Sequence, residues 1–154
     1  MKTIRIGTGQ GYWGDRLDAP LALVDRGRVH YICFDYLAEL TMSIMQKQRA
    51  RNPEAGYASD FVRMIDRVAP ELVQKNIRVV ANAGGVNPQA CAKAVLGVLA
   101  RHGIKGVKIG VVEGDDILGQ LDALIAEGET LANMDTGAAL SSVRAASGSV
   151  STQV

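Results

Sequence analysis

Four short apolar runs punctuate the chain, and between them apolar residues recur at helical spacing. The runs cover residues 3–7, 29–35, 77–82 and 107–112. They are rich in valine and isoleucine, as strands buried in a parallel sheet tend to be. Asp18 is placed to cap a helix with Pro20 in its first turn, and Gly27 ends it. Residues 36–51 carry Leu37, Leu40, Ile44 and Met45 at helical intervals. Lys47, Arg49 and Arg51 close that segment, where the helix dipole favours cations. Residues 59–75 put Phe61, Val62, Ile65, Val68, Leu72 and Val73 on one face, and Pro70 predicts a kink or a split. Asn87-Pro88 reads as a cap and first helical position, with Gly103 as the stop. Asp115 or Asp116 caps a last helix running to about Glu127.

Strand and helix in alternation predict an α/β fold around a parallel sheet with right-handed crossovers. The expected form is a three-layer domain with helices on both faces, Rossmann-like or flavodoxin-like, complete or incomplete. Half of an eight-stranded barrel shares the same local pattern. The expected α/β domain spans residues 1–140. Residues 141–154 are rich in serine, glycine and alanine and are expected to form a flexible low-complexity tail.

Composition adds little to this outline and narrows the function. At 154 residues the chain is one domain by length and can bury a real core. It is 47% hydrophobic and 21% charged, as ordinary globular proteins are. A net charge of +1 offers no basic field for nucleic acid. No apolar run is long enough to span a membrane, and the N-terminus lacks the apolar centre of a signal peptide. A cytoplasmic protein is expected. Cys33 and Cys91 have no metal-ligand spacing and read as small buried hydrophobes in a reducing compartment, so no metal ligand is assigned.

Ligands of parallel α/β sheets bind outside the carboxyl ends of the strands. Those ends carry Gly9, Gly11, Tyr12, Trp13, Gly14 and Asp15 after the first run, and Asp35, Tyr36 and Glu39 after the second. Asn82, Gly84, Gly85 and Asn87 follow the third, and Glu113, Gly114, Asp115 and Asp116 the fourth. A parallel sheet would gather all four groups on one rim. Gly9-x-Gly11-x-x-Gly14, with Asp35 about twenty residues later, matches the dinucleotide fingerprint. In that fold the helix starts within the glycines, whereas here Pro20 lies six positions past Gly14 and Asp18 looks like a later cap. The loop is therefore a dinucleotide site, a contact for another ligand, or a tight turn. Trp13 and Tyr12 either pack over the sheet edge or wall a ligand.

Asp35 and Glu39, four apart, are candidates for acid–base work, or are acids favoured at a helix start. Asp115 and Asp116 are caps, or chelate Mg²⁺ with Glu113 and Asp15. The loop 82–87 offers amide side chains and bare N–H groups to a carboxylate, carbonyl or phosphate, or is turn chemistry alone. His30 and His102 read as structural, His30 opening a strand at the opposite sheet edge. No Ser-His-Asp or Cys-His arrangement can be proposed.

Five of these segments resemble a known family. They are Ile6-Gly-x-Gly9-x-Gly11-x-x-Gly14-Asp15-Arg16, Asp35-Tyr-Leu-Ala-Glu39-Leu-Thr-Met42, Asn82-x-Gly84-Gly85-x-Asn87-Pro88, Val111-Val-Glu113-Gly-Asp115-Asp116 and Ala132-Asn133-Met-Asp135-Thr-Gly137. In this order they resemble the acyclic terpene utilisation AtuA family over residues 3 to 140. The resemblance implies a role in bacterial breakdown of acyclic terpenes such as citronellol and geraniol, which proceeds through acyl-CoA intermediates. It assigns no defined role to any residue and names no cofactor. Family members continue past the fifth segment, so an uncovered sheet edge or apolar face, and with it a homo-oligomer, is expected. The functional expectation is an enzyme acting on a branched acyl-CoA or related carboxylate. Asp35, Glu39, Glu113 and Asp115 are its acid–base candidates. Gly9, Gly11, Trp13, Gly14, Asp15, Asn82, Gly84, Gly85, Asn87 and Asp116 are its ligand contacts. The alternatives are a non-catalytic assembly module docking on a carboxylase or another pathway enzyme, and a nucleotide-binding domain.

Overall fold

Consecutive parallel strands with helical crossovers make up the first of two compact units, which divide between Val112 and Glu113. The computed structural model describes residues 3–142. The first unit runs β1 (Ile6–Gln10), α1 (Asp18–Arg26), β2 (Tyr31–Phe34), α2 (Glu39–Arg51), α3 (Ser59–Gln74), β3 (Arg78–Ala81) and α4 (Pro88–Arg101). The strands pair in the order β1-β2-β3, all parallel, so the α/β reading of the alternation holds.

Because both crossovers step across the sheet in the same direction, right-handedness puts α1 and α3 on the same face. Leu23 of α1 lies over Gly7, and the Phe61 ring of α3 meets Phe34 edge-on at 5.6 Å. Ile32, Phe34, Met64, Ile65, Val68 and Leu72 are buried between this face and α3, while α4 adds Cys91, Val98 and Leu99. Each such aliphatic or aromatic burial contributes about 1.5–3 kcal/mol. The other face carries Ile6, Thr8, Tyr31, Cys33, Arg78 and Val80 in register, and no helix of the first unit's described residues covers it. Ile6 is 66% exposed and Val80 56%.

Several expected boundaries move. The first strand lies three residues further on than the apolar run predicts, so Gly7 stands near its start and Gly9, expected in the loop, belongs to β1. The reason is room: a methyl group at Gly9 would overlap the Phe34 ring, and one at Gly7 would press on Leu23 and Val29. Thr8 pairs with Cys33 and Gln10 with Phe34, so Gly9 is the extra residue of a bulge. That bulge sets Gln10, 1% exposed, beside Phe34 on the covered face.

Pro70 neither ends nor splits α3, which continues to Gln74, because Val68, Ala69 and Leu72 hold both sides of the proline in the core. The expected fourth strand at 107–112 does not form. Val107, Ile109 and Val112 are exposed, Gly106 and Gly110 interrupt the run, and no described strand offers it a ladder.

In the second unit a 3-10 turn (Leu118–Gln120) leads into α5 (Leu121–Ala126). Asp116 opens it, its Oδ1 accepting from Leu118 N at 3.0 Å. Asn133 ties a turn by accepting from the N–H groups of Asp135 and Thr136. Apart from Ser141 and Ser142, the predicted tail lies outside the described residues.

Candidate functional site

The carboxyl ends of β1, β2 and β3 meet in a continuous hydrogen-bonded rim. Asp35 N donates to Gln10 O at 3.1 Å, joining the first two strand ends. Asn82 joins the third: its Oδ1 accepts from Tyr36 N at 2.8 Å, and its Nδ2 donates to Asp35 Oδ1 at 2.7 Å. Leu37 N reaches the same Asp35 oxygen at 3.4 Å. Asp35 Oδ2 takes no hydrogen bond from the described residues, and the side chain is exposed. One carboxylate oxygen is thus anchored and the other is available to a proton or a ligand.

Beneath the rim, Tyr36 Oη donates to Gln10 Oε1 at 2.5 Å, and Gln10 Nε2 donates to Asp15 O at 2.8 Å. Both side chains are buried, and the Tyr36 ring stacks parallel to Phe34. Burial, then the nearby Asp60 charge, pushes the Tyr36 phenol above its ordinary value, so it stays a neutral donor. Sequence reasoning passed over Gln10. Its signal is a polar residue set between glycines at the end of a strand, where only a side-chain partner lets it be buried.

The glycine loop holds itself. Asp15 accepts from Gly11 N at 3.0 Å and from Arg16 N at 2.7 Å. Those two backbone bonds, Gly11 first, hold its carboxyl below the usual carboxylate range. Gly14 needs its freedom for a φ of 93°, and a methyl group added at Gly11 or Gly14 would meet nothing within 4 Å. Gly9 lies within β1, its α-carbon covered by Phe34 and Ile32. Trp13 is half-buried against the core, whereas Tyr12 is exposed. Helix α1 begins at Asp18, four residues beyond Gly14, so its N-terminus does not open within the glycine motif as dinucleotide binding requires.

Asp35 and Glu39 do not share a helical face, because α2 begins at Glu39 and Asp35 precedes it, outside the helix. Glu39 sits exposed in the first turn. Thr41 satisfies that helix start, its Oγ1 accepting from Ala38 N at 2.8 Å.

The 82–87 loop is tied inward. Asn87 caps α4 through Ala90 N at 3.3 Å, and its Nδ2 donates to the carbonyls of Pro53 and Ala55, both at 2.8 Å. Gly84 O accepts from Asn87 N at 2.9 Å, and Gly85 takes φ 54° where a side chain would strike Met45 and Gly56 O. The first unit's rim therefore brings together Asp15, Asp35 and Asn82 with their supporting Gln10 and Tyr36. Glu113, Asp115 and Asp116 belong to the second unit. Among the described residues no three histidine, cysteine, aspartate or glutamate side chains gather as metal ligands would. No helix there is long and apolar enough to cross a membrane.

A family model, that of the acyclic terpene utilisation family protein AtuA, matches residues 4–153. No curated protein and no solved structure matches the chain.

Proposed function

The chain belongs to the acyclic terpene utilisation family AtuA, and from that premise we propose that it acts in the cytoplasm on a branched acyl-CoA or free carboxylate intermediate of such a pathway. The supporting observation is Asp35. Its carboxylate stands at a parallel strand's carboxyl end, fixed through one oxygen by Asn82 and open through the other. A carboxylate so oriented serves as a general base toward a bound substrate. Glu39 follows it along the same loop and helix start. Glu113 and Asp115, the other acid–base candidates, lie in the second unit and are candidates there by themselves. Gly11, Gly14, Asp15 and Trp13 border the glycine loop that would meet the substrate, with Gly9, Asn82, Gly84, Gly85 and Asn87 as further contacts; Asp116 is a candidate contact within the second unit.

The experiment is complementation on citronellol in a strain that lacks its own copy. Asp35→Asn keeps an oxygen for Asn82 while removing the charge, so the fold should survive, as circular dichroism would show. Growth should fail. Wild-type growth with this variant would reject the reading.

A second reading has its own observation, the open sheet face with Ile6 and Val80 bare. A non-catalytic assembly module, or a homo-oligomer, would use that face. Val80→Lys should then shift an assembled species toward monomer on gel filtration, and a wild-type chain that is monomeric at every concentration would remove self-association.

A further inference from the structure

The opposite edge of the sheet has a different chemistry. A depression of ≈ 420 Å³ opens there, below the amino ends of β2 and β3. Its apolar wall is Val24, Val29 and Ile77, and its polar groups are Arg28, His30, Lys75 and Asp25. A second hollow of ≈ 150 Å³ shares His30.

Three donors line it from two segments, Arg28 and His30 on the turn between α1 and β2 and Lys75 at the end of α3. Lys75, just past α3, donates to the carbonyls of Val24 at 2.8 Å and Asp25 at 3.0 Å, which leaves one of its three N–H groups over. Those carbonyls end α1, so Lys75 also neutralises the negative end of that helix. His30 Nδ1 accepts from Arg5 N at 2.9 Å, so the neutral ring carries its proton on Nε2 and is a donor there. Arg28 makes no ion pair among the described residues. The acid in the group, Asp25, lies 3.5 Å from Arg26. The local balance is positive.

The backbone supports the same place. Arg28 has φ 46° and Asn76, on the second hollow, φ 52°. They are the left-handed non-glycine residues of the first unit's described part. Asn76 is the left-handed cap that ends α3, with Ile77 N donating to Leu72 O at 2.9 Å, whereas Arg28 is held in that region without such a preference. An apolar wall with a few charged groups beside it is the lining that fixes the orientation of an amphiphilic ligand.

We propose that this depression binds a small organic carboxylate, its head group on Arg28, His30 Nε2 and the remaining Lys75 proton, its short apolar chain along Val24, Val29 and Ile77. This site is separate from the Asp35 rim and does not depend on the proposed reaction.

The probe is hexanoate, titrated into the full chain by calorimetry at low salt, with acetate, inorganic phosphate and hexylammonium as comparisons. Saturable binding of hexanoate is expected, at least tenfold tighter than acetate, with none of hexylammonium. Arg28→Gly keeps the left-handed backbone and removes the guanidinium, so the variant should fold and bind hexanoate at least tenfold more weakly. Lys75→Met should weaken it as well. Hexanoate without heat or saturation, or phosphate bound and hexanoate inert, would overturn the proposal. So would binding lost in Asp35→Asn but kept in Arg28→Gly, which would move the site to the rim.

Discussion

The two faces of the sheet are built from the same three strands, yet they have opposite fates. One side sets Ile32 and Phe34 against α1 and α3 until almost nothing is exposed. The other leaves Ile6 and Val80 more than half exposed beside Tyr31, Cys33 and Arg78. Residue type does not separate them, since valine and isoleucine occur on both. Topology does: β1, β2 and β3 follow one another across the sheet, and right-handed crossovers then deliver both helices to one side. An open apolar sheet face is a contact surface in waiting, and assembly is the ordinary way to cover one.

The strongest way to break this contrast is to truncate one residue on each side. Phe34→Ala removes a ring that touches both Tyr36 and Phe61, and it should cost about 3–5 kcal/mol in urea unfolding. Val80→Ala, on the bare side of the isolated chain, should stay within about 0.5 kcal/mol. Equal losses would mean that the bare face is covered in solution, which would favour the assembly reading.

A smaller effect sharpens the same point on the backbone. Gly9→Ala drives a methyl group into the Phe34 ring, with Phe34 Cζ 2.7 Å and Ile32 Cγ2 3.0 Å from it. Overpacking of that kind should cost about 1–3 kcal/mol. Gly11→Ala, two residues on, meets nothing within 4 Å and should be close to neutral. If both are neutral in thermal melts, the bulge has slack and Gly9 is not there for packing.

The glycine pair also shows where local reading stops. Valine and isoleucine runs and the caps around them place β2, β3, α1, α3 and α4 within a few residues, because those signals are local. Gly9 looks like loop for the same local reason, yet its missing side chain admits Phe34, which arrives from elsewhere in the chain. Residues 107–112 have a strand's composition, but a strand also needs a neighbour, and composition cannot supply one. At the rim, Asp35 and Asn82 are legible as strand-end polar residues, whereas their mutual bond follows from the register of β2 with β3. Gln10 escapes notice because a bulge turns it inward.

The gentlest probe of the two sides leaves stability untouched at neutral pH. Cys33 is half-buried on the bare face, and Cys91 is a buried residue of α4. Burial pushes the Cys91 thiol up to about 11 from an ordinary 9.0, since a thiolate there would lose its water. A thiol reagent at pH 8 should therefore modify Cys33 alone, with Cys91 reacting only after denaturation, as mass spectrometry of digested peptides would show. The sign for stability follows. An acid whose value rises on folding favours the folded state while it stays protonated, so its contribution is whole below about pH 9 and is lost as the pH climbs toward 11. Cys91→Ala should flatten that alkaline decline. If Cys33 resists the reagent in the native chain as firmly as Cys91, something covers the open face, and the contrast between the two sides belongs to the isolated chain alone.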